Sequence, residues 1–302
     1  MTGAYVRTTA SMGTVVTIHV VEHEAHVVTT ERLVDRALEW FNEVERVCSR
    51  FDPDSELRRL STRIGEPVAV SDVLFEAVRF ALAVAEETGG AFDPTVGLLL
   101  EAHGFDKDYR TGSVARSAIA GDELATYRDV DIGADEKTLM LRRPLVLDLG
   151  AVAKGLAIDM AARELLNAGV ANFAVDAGGD LYLAGLNANG ESWSVGIRHP
   201  RDEGAMIETR RVSDVAVCTS GDYERRIGDE AGGGHHLIDP RTKTSAGDVA
   251  SATVLAPSAM VADALATAAF VLGPVDGISL LERQGVDGVI YTSALARHST
   301  AS

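Results

Sequence analysis

"AVAKGLAIDMAARELLNAGVANFAVDA", residues 151–177, sets a helix, a Gly-Val stop and an apolar strand in that order. Gly169 follows the last apolar positions of the helical run, where a left-handed cap residue ends a helix. "NFAVDA" then reads as a short apolar strand, closed by Gly178-Gly179. The same order returns at "PVDGISLLERQGV" (274–286) followed by "DGVIYTS" (287–293). Two helix–Gly-Val–strand units in one chain hint at an internal duplication.

Working outward, "MGTVVTIHVV" (12–21) alternates Val15/Thr17 against Val16/Ile18, as a half-buried strand does. Leu33, Val34, Ala37, Leu38, Phe41 and Val44 recur at helical spacing and predict an amphipathic helix from Thr30 to about Val47. Ser55 is placed to cap a short helix, and Ser71 a longer one that faces Leu74, Ala77, Val78, Ala81, Leu82 and Ala85 inward and stops at Gly89-Gly90. Residues 104–120 are polar and unpatterned and read as a surface excursion. "DVDIGADEKTLMLRRPLVLDLG" reads as short strands, the last ending at Asp148. Further strands are expected around Trp193–Ile197, Met206–Val217 and Thr253–Leu255, with a helix from Ser258 to Leu272. No Pro- or Ser-rich linker divides the chain, so a single domain over 1–302 is expected, with a frayed tail at about 293–302.

The formal net charge of −17 argues against nonspecific nucleic-acid binding, which needs a basic footprint, and against anionic lipid surfaces. No apolar stretch reads as long and uninterrupted enough to span a bilayer, and the first twenty residues lack a signal-peptide pattern. Cys48 and Cys218 belong to no paired motif. A cytoplasmic protein without membrane insertion is expected.

The common nucleotide and hydrolase motifs are absent: no G-x-x-x-x-G-K-[ST], no G-x-G-x-x-G after a strand, no G-x-S-x-G. "SAMVADALATAAFVL" is apolar on most sides, yet Asp263 and Thr267 interrupt it one turn apart on one face. Two readings stand for that pair. They are hard oxygen ligands suited to Mg²⁺, or Asp263 meets a core arginine while Thr267 bonds back to its own helix. Lys154, in the first turn after "LDLG", either adds charge to an anion at the helix start or is an exposed lysine on an ordinary turn. "GGAFDPTVG" (89–97) and "AVDAGGDLYLAG" (174–185) read as binding loops or as bends. In "GGGHHLIDPRTK" (232–243), strand alternation would point His235 and His236 to opposite faces, which makes them poor joint ligands for one metal.

Nine segments in order resemble the ApbE family of FAD:protein FMN transferases: "MGT", "RFDPDSELRRL", "GGAFDPTVG", "DLGAVAKG", "NFAVDAGGD", "WSVGIRHP", "TSGDYER", "HHLIDPRT" and "TVLAPSAMVADALATA", within residues 12 to 291. The resemblance implies an α+β fold of two T-fold-related halves, with mixed or antiparallel sheets and packed helices. It implies Mg²⁺-dependent transfer of FMN from FAD to a threonine hydroxyl of an acceptor protein domain, with release of AMP, or in some members hydrolysis of FAD to FMN and AMP. Carried over by position, the metal would be held by Asp263, Thr267 and the Ala151 carbonyl. The flavin nucleotide would touch Met12, Phe51, Ala91, Phe92, Asp93, Asp148, Lys154 and Ile238. His236 would be the base, with His235 incidental and the glycines before them letting the loop pass close to the nucleotide. Phe51 stands where other members carry Tyr or Asn, which leaves transfer and hydrolysis both open, and Ser61 stands where many carry Asn. Many members are exported or lipid-anchored, so the absence of an export pattern points to a cytoplasmic FMN-binding-domain protein as acceptor. A non-catalytic flavin-binding protein on the same scaffold is the third reading.

Overall fold

A computed structural model describes residues 2–23, 27–109, 111–119, 121, 124–227 and 234–301. Strands β1 (Thr2–Ser11) and β2 (Thr14–His23) open an eight-stranded antiparallel sheet. β3 (Phe173–Ala177) and β4 (Asp180–Ala184) complete its first four strands in the order β1-β2-β3-β4. A separate hairpin of β5 (Trp193–Arg198) and β6 (Met206–Val212) follows. Then β7 (Val215–Gly221), β8 (Val249–Ala256), β9 (Asp287–Thr292) and β10 (Arg297–Ser299) complete the sheet in chain order. Each set of four is two strands, a helical insertion and two strands, so the faint repeat of the sequence is a repeat of topology. The sets join where β4 pairs with β7, Leu183 opposite Val215 and Leu181 opposite Val217.

The helices lie on one face of the sheet: α1 (Val27–Cys48), α2 (Glu56–Leu60), α3 (Asp72–Glu87), α4 (Gly97–Ala102) and α5 (Ala153–Asn167) in the first half, and α6 (Ala259–Gln284) in the second. Val16, Ile18 and Val20 point from β2 into this layer and are buried, while Val15 on the other face is 58% exposed. The inward positions expected for α1 and α3 are buried except Leu33, which is partly buried against the core, and Ser71 Oγ accepts from the Leu74 N–H at 3.3 Å. α1 packs on α5, α5 on α6, and α6 on β7, β8 and β9. The β5–β6 hairpin covers part of the opposite face, seating Val195 on Leu183 and Val217, and Ile197 on Val289 and Tyr291.

Four expectations are corrected. Met206–Val217 is two strands, because Asp214 turns left-handed (φ 54) and its carboxylate accepts from the Gly185 N–H at 2.8 Å. No strand ends at Asp148: the segment is extended and makes only an isolated bridge, Val146 with Val96. The tail does not fray, since β10 pairs with β9 and Thr300 is buried against Gly288. Residues 104–120 are more than a surface excursion, because Asp106 and Asp108 are buried within them. The two helices expected over Ser258–Leu272 and 274–286 are both present and run end to end, broken at Gly273 (φ 87) ahead of Pro274. By length and composition that pair could cross a bilayer, but it is the core helix of this fold, with both segments buried against the sheet.

Candidate active site

The turn between Asp148 and Lys154 separates two clusters of functional side chains. At its far end α5 crosses the start of α6 at very close range. A Cβ on Gly155 would lie 2.4 Å from the Ala259 carbonyl oxygen, so only glycine fits there. Asp159, one turn further along α5, caps α6: it accepts from Ser258 Oγ at 2.7 Å and from the backbone N–H groups of Ala259 (2.7 Å) and Met260 (2.9 Å). This clasp sets Lys154 beside Asp263, one turn into α6.

Asp263 is buried, and Lys154 Nζ lies 3.2 Å from its Oδ2. Lys154 also pairs with Asp180 Oδ2. Asp180 is buried at the start of β4 and accepts the Thr219 N–H at 3.0 Å. The partner of Asp263 is therefore a lysine and no core arginine, and Lys154 is ion-paired instead of free in solvent. Thr267 bonds across to Ser220 Oγ on β7 at 3.0 Å instead of back to its own helix. Ala151 sits half-buried in the turn ahead of α5, and among the described residues no backbone N–H donates to its carbonyl. Asp263, Thr267 and Ala151 thus offer a carboxylate, a hydroxyl and a carbonyl, all hard oxygen donors that suit Mg²⁺. Among the described residues no three His, Cys, Asp or Glu side chains gather as a metal-binding group.

The second cluster surrounds Asp148. Its carboxylate receives Arg50 Nε and the Gly150 N–H, the latter at 2.8 Å. Burial pushes this carboxyl up, but Arg50 and the Gly150 N–H outweigh it and hold the group below the usual carboxylate range. Arg50 is itself buried, gives Nη2 to the Phe105 carbonyl, lies 4.1 Å over the Phe51 ring, and leaves Nη1 without a hydrogen-bond partner among the described residues. Phe105 meets the His236 ring edge-on, centroids 6.4 Å apart. His236 Nδ1 lies 3.3 Å from the Glu224 carbonyl, which assigns the proton to Nδ1 and the free lone pair to Nε2. Burial, then neighbouring Arg225, push the imidazole down to about 4.

His235 faces the other way. It is buried, its Nε2 donates to the Ala246 carbonyl at 2.8 Å, and its ring meets Phe270 edge-on. Alternation separates the two histidines as expected. Of the glycines preceding them, Gly232 and Gly233 lie outside the described residues.

The remaining expected contacts have local roles of their own. Met12 heads the β1–β2 turn with φ 52, beside Gly13 at φ 76; its N–H reaches Glu45, whose other oxygen takes Tyr109 Oη at 2.6 Å. Ala91 and Phe92 are buried, Phe92 in the core. Asp93 gives its carboxylate to Thr95 and to the Tyr127 N–H, so it holds its loop in shape. That loop reaches the site through its backbone, the Pro94 carbonyl accepting the Asp148 N–H at 2.7 Å. Ile238 is buried in a two-residue strand opposite Ser245. Sequence reasoning missed Asp180, Arg50, Phe105, Ser220, Arg225 and Asp159. Asp180 and Ser220 lie inside segments singled out above, but no spacing in the chain predicts their contacts with Lys154 and Thr267. A cavity of about 420 Å³ lies elsewhere, on the far face of the sheet under the β5–β6 hairpin, lined by His19, Trp193 and Val195 among others. Of the residues named in the two clusters it shares Thr219, whose N–H bonds Asp180.

The ApbE family model matches residues 12–290. The chain is 35% identical over 264 residues to the FAD:protein FMN transferase of Vibrio cholerae serotype O1, covering 84% of this chain and 76% of that protein. It is 35% identical over 265 residues to the FAD:protein FMN transferase of Treponema pallidum, covering 81% and 73%. Among solved structures, the ApbE protein of Thermotoga maritima superposes with a TM-score of 0.87 at 30% identity, over 99% of this chain and 97% of that one. The flavin transferase ApbE of Vibrio cholerae gives 0.86 at 29% identity, over 100% and 98%.

Proposed function

The chain belongs to the ApbE family, and from that premise we propose that it is a Mg²⁺-dependent FAD:protein FMN transferase. It moves FMN from FAD onto a threonine hydroxyl of an acceptor flavoprotein and releases AMP. The observation that carries this reading is the pairing of two groups across one short turn: an oxygen-donor set on one side and a neutral imidazole on the other.

Asp263, Thr267 and the Ala151 carbonyl would hold the Mg²⁺. When bound, the ion supplies charge neutralisation for the FAD pyrophosphate, as Lewis acid and template. The chain's own groups do the rest. Arg50 and Gly150 hold Asp148 ionised, where it would face the nucleotide, and Lys154 would add charge for the phosphates. Phe51 and Phe105 offer ring faces next to the site but no hydrogen bond. The threonine oxygen forms a bond to the FMN phosphorus as the bridging P–O bond breaks, and AMP leaves with that electron pair. The threonine proton passes to His236 Nε2. With its pKa held at about 4, His236 is in the accepting form throughout the neutral range.

Incubating the protein with FAD and Mg²⁺, with and without a threonine-bearing acceptor domain, tests the reading by following AMP, free FMN and acceptor mass. AMP formed only with acceptor, together with the acceptor's mass gain, is expected. AMP plus free FMN without acceptor would instead assign a Mg²⁺-dependent FAD pyrophosphatase. FAD binding with no AMP in either arm would leave a flavin-binding protein.

A further inference from the structure

Lys154 sits on the Asp263 carboxylate that would hold a cation: its Nζ lies 3.2 Å from Oδ2. Two buried acids, Asp180 and Asp263, share this one ammonium. Without Asp180, Lys154 would have Asp263 as its one remaining anionic partner. A half-buried cation does not give up its last counter-ion cheaply, because little water is at hand to replace it. Asp180 is fixed independently of Lys154. It follows the Gly178-Gly179 turn (φ 68 and 95), and its second oxygen is pinned by the Thr219 N–H at 3.0 Å. The "AGGD" bend thereby acquires a role that the flavin and metal contacts do not absorb.

We propose that Asp180 is a positioning residue for the cation site, holding Lys154 so that it can yield Asp263 to Mg²⁺ while staying paired. The inference rests on the reading of Asp263 and Thr267 as metal ligands. In the exchange no bond to carbon or phosphorus changes. The ammonium moves from a shared to a single carboxylate, and the divalent ion takes the oxygen it leaves.

Mn²⁺ titrated into the full-length protein, with free Mn²⁺ read by electron paramagnetic resonance, tests this without turnover. Asp180→Asn keeps an acceptor for the Thr219 N–H and removes the charge. It is expected to weaken Mn²⁺ binding on the order of 10–100-fold, the usual effect of losing a group that orients a metal ligand. Adding Lys154→Gln to that variant is expected to restore binding, because the competing ammonium is gone. Lys154→Gln alone leaves Asp180 intact and is expected to bind Mn²⁺ at least as tightly as the wild type. Unchanged affinity in Asp180→Asn, or a loss that Lys154→Gln does not rescue, would overturn the inference, the second by making Asp180 merely structural. Weaker binding by Lys154→Gln alone would also overturn it. Wild-type binding that Asp263→Asn leaves untouched would sink the metal reading itself, and this inference with it.

Discussion

His235 and His236 are chain neighbours that the backbone turns to opposite faces. His235 is locked between the Ala246 carbonyl and Phe270, whereas His236 sets Nδ1 on the Glu224 carbonyl and its ring edge-on to Phe105. His236→Ala is expected to lower FMN transfer by about 10²–10⁴-fold, the usual worth of a general base, while FAD binding measured by flavin fluorescence persists. Wild-type turnover by that variant would remove His236 from the mechanism. Asp263→Ala is expected to lose both activity and its response to Mg²⁺. His236 also marks stability. Its folded value of about 4 lies below the usual 6.5. Above pH 6.5 the ring is neutral folded and unfolded alike, so it adds no pH dependence. Between 6.5 and about 4 the unfolded chain binds the proton that the folded one refuses, and stability falls as pH falls, by roughly 2–3 kcal/mol in all. Urea midpoints taken at pH 7 and pH 4.5 should therefore differ more for the wild type than for His236→Gln.

At the scale of elements, the site depends on how α5 crosses α6. Gly155 lets the two backbones touch, and Asp159 satisfies the first N–H groups of α6, which the helix itself cannot pair. Asp159→Ala removes three charge-assisted hydrogen bonds and is expected to cost roughly 2–3 kcal/mol, lowering Tm by roughly 3–5 °C. Gly155→Ala would raise helix propensity by about 1 kcal/mol in an isolated helix. Here it is expected to destabilise by about 1–3 kcal/mol, because the new methyl meets backbone that cannot move aside. It should also weaken Mn²⁺ binding, since the helices that carry Lys154 and Asp263 must separate. A Gly155→Ala protein as stable as the wild type would mean that the helices are held apart by other contacts.

At the scale of the whole molecule, two four-strand sets share one sheet and one helical layer. The strand junction is short, three residue pairs between β4 and β7. The apolar cluster beneath the helices is continuous, with Phe41 and Ile158 from the first half and Phe270 and Leu281 from the second. A core common to both halves leaves neither with a buried surface of its own. Calorimetry is expected to show one cooperative transition, with calorimetric and van't Hoff enthalpies equal. Two separated transitions would show that the halves unfold independently.

Local chemistry was legible in the chain. Ser55 and Ser71 cap their helices, Gly169 and Gly285 mark the stops before two equivalent strands, and Val16, Ile18 and Val20 face inward by simple alternation. These features depend on neighbours a few residues away, and the sequence states such neighbours directly. The turn at Asp214 and the pairing of the last strand were not legible, because each is fixed by a contact made after the chain has folded back. The site divides along the same line. Asp263 and Thr267 stand out as polar groups on an apolar helix, so periodicity finds them. Their partners do not, since Lys154, Asp180 and Ser220 come from a helix and two strands far away in the chain. By itself the sequence determined which elements form and which residue types are available for chemistry. Only the tertiary structure decided which charges meet, because a buried carboxylate pairs with whatever cation the packing of remote elements brings within a few ångströms.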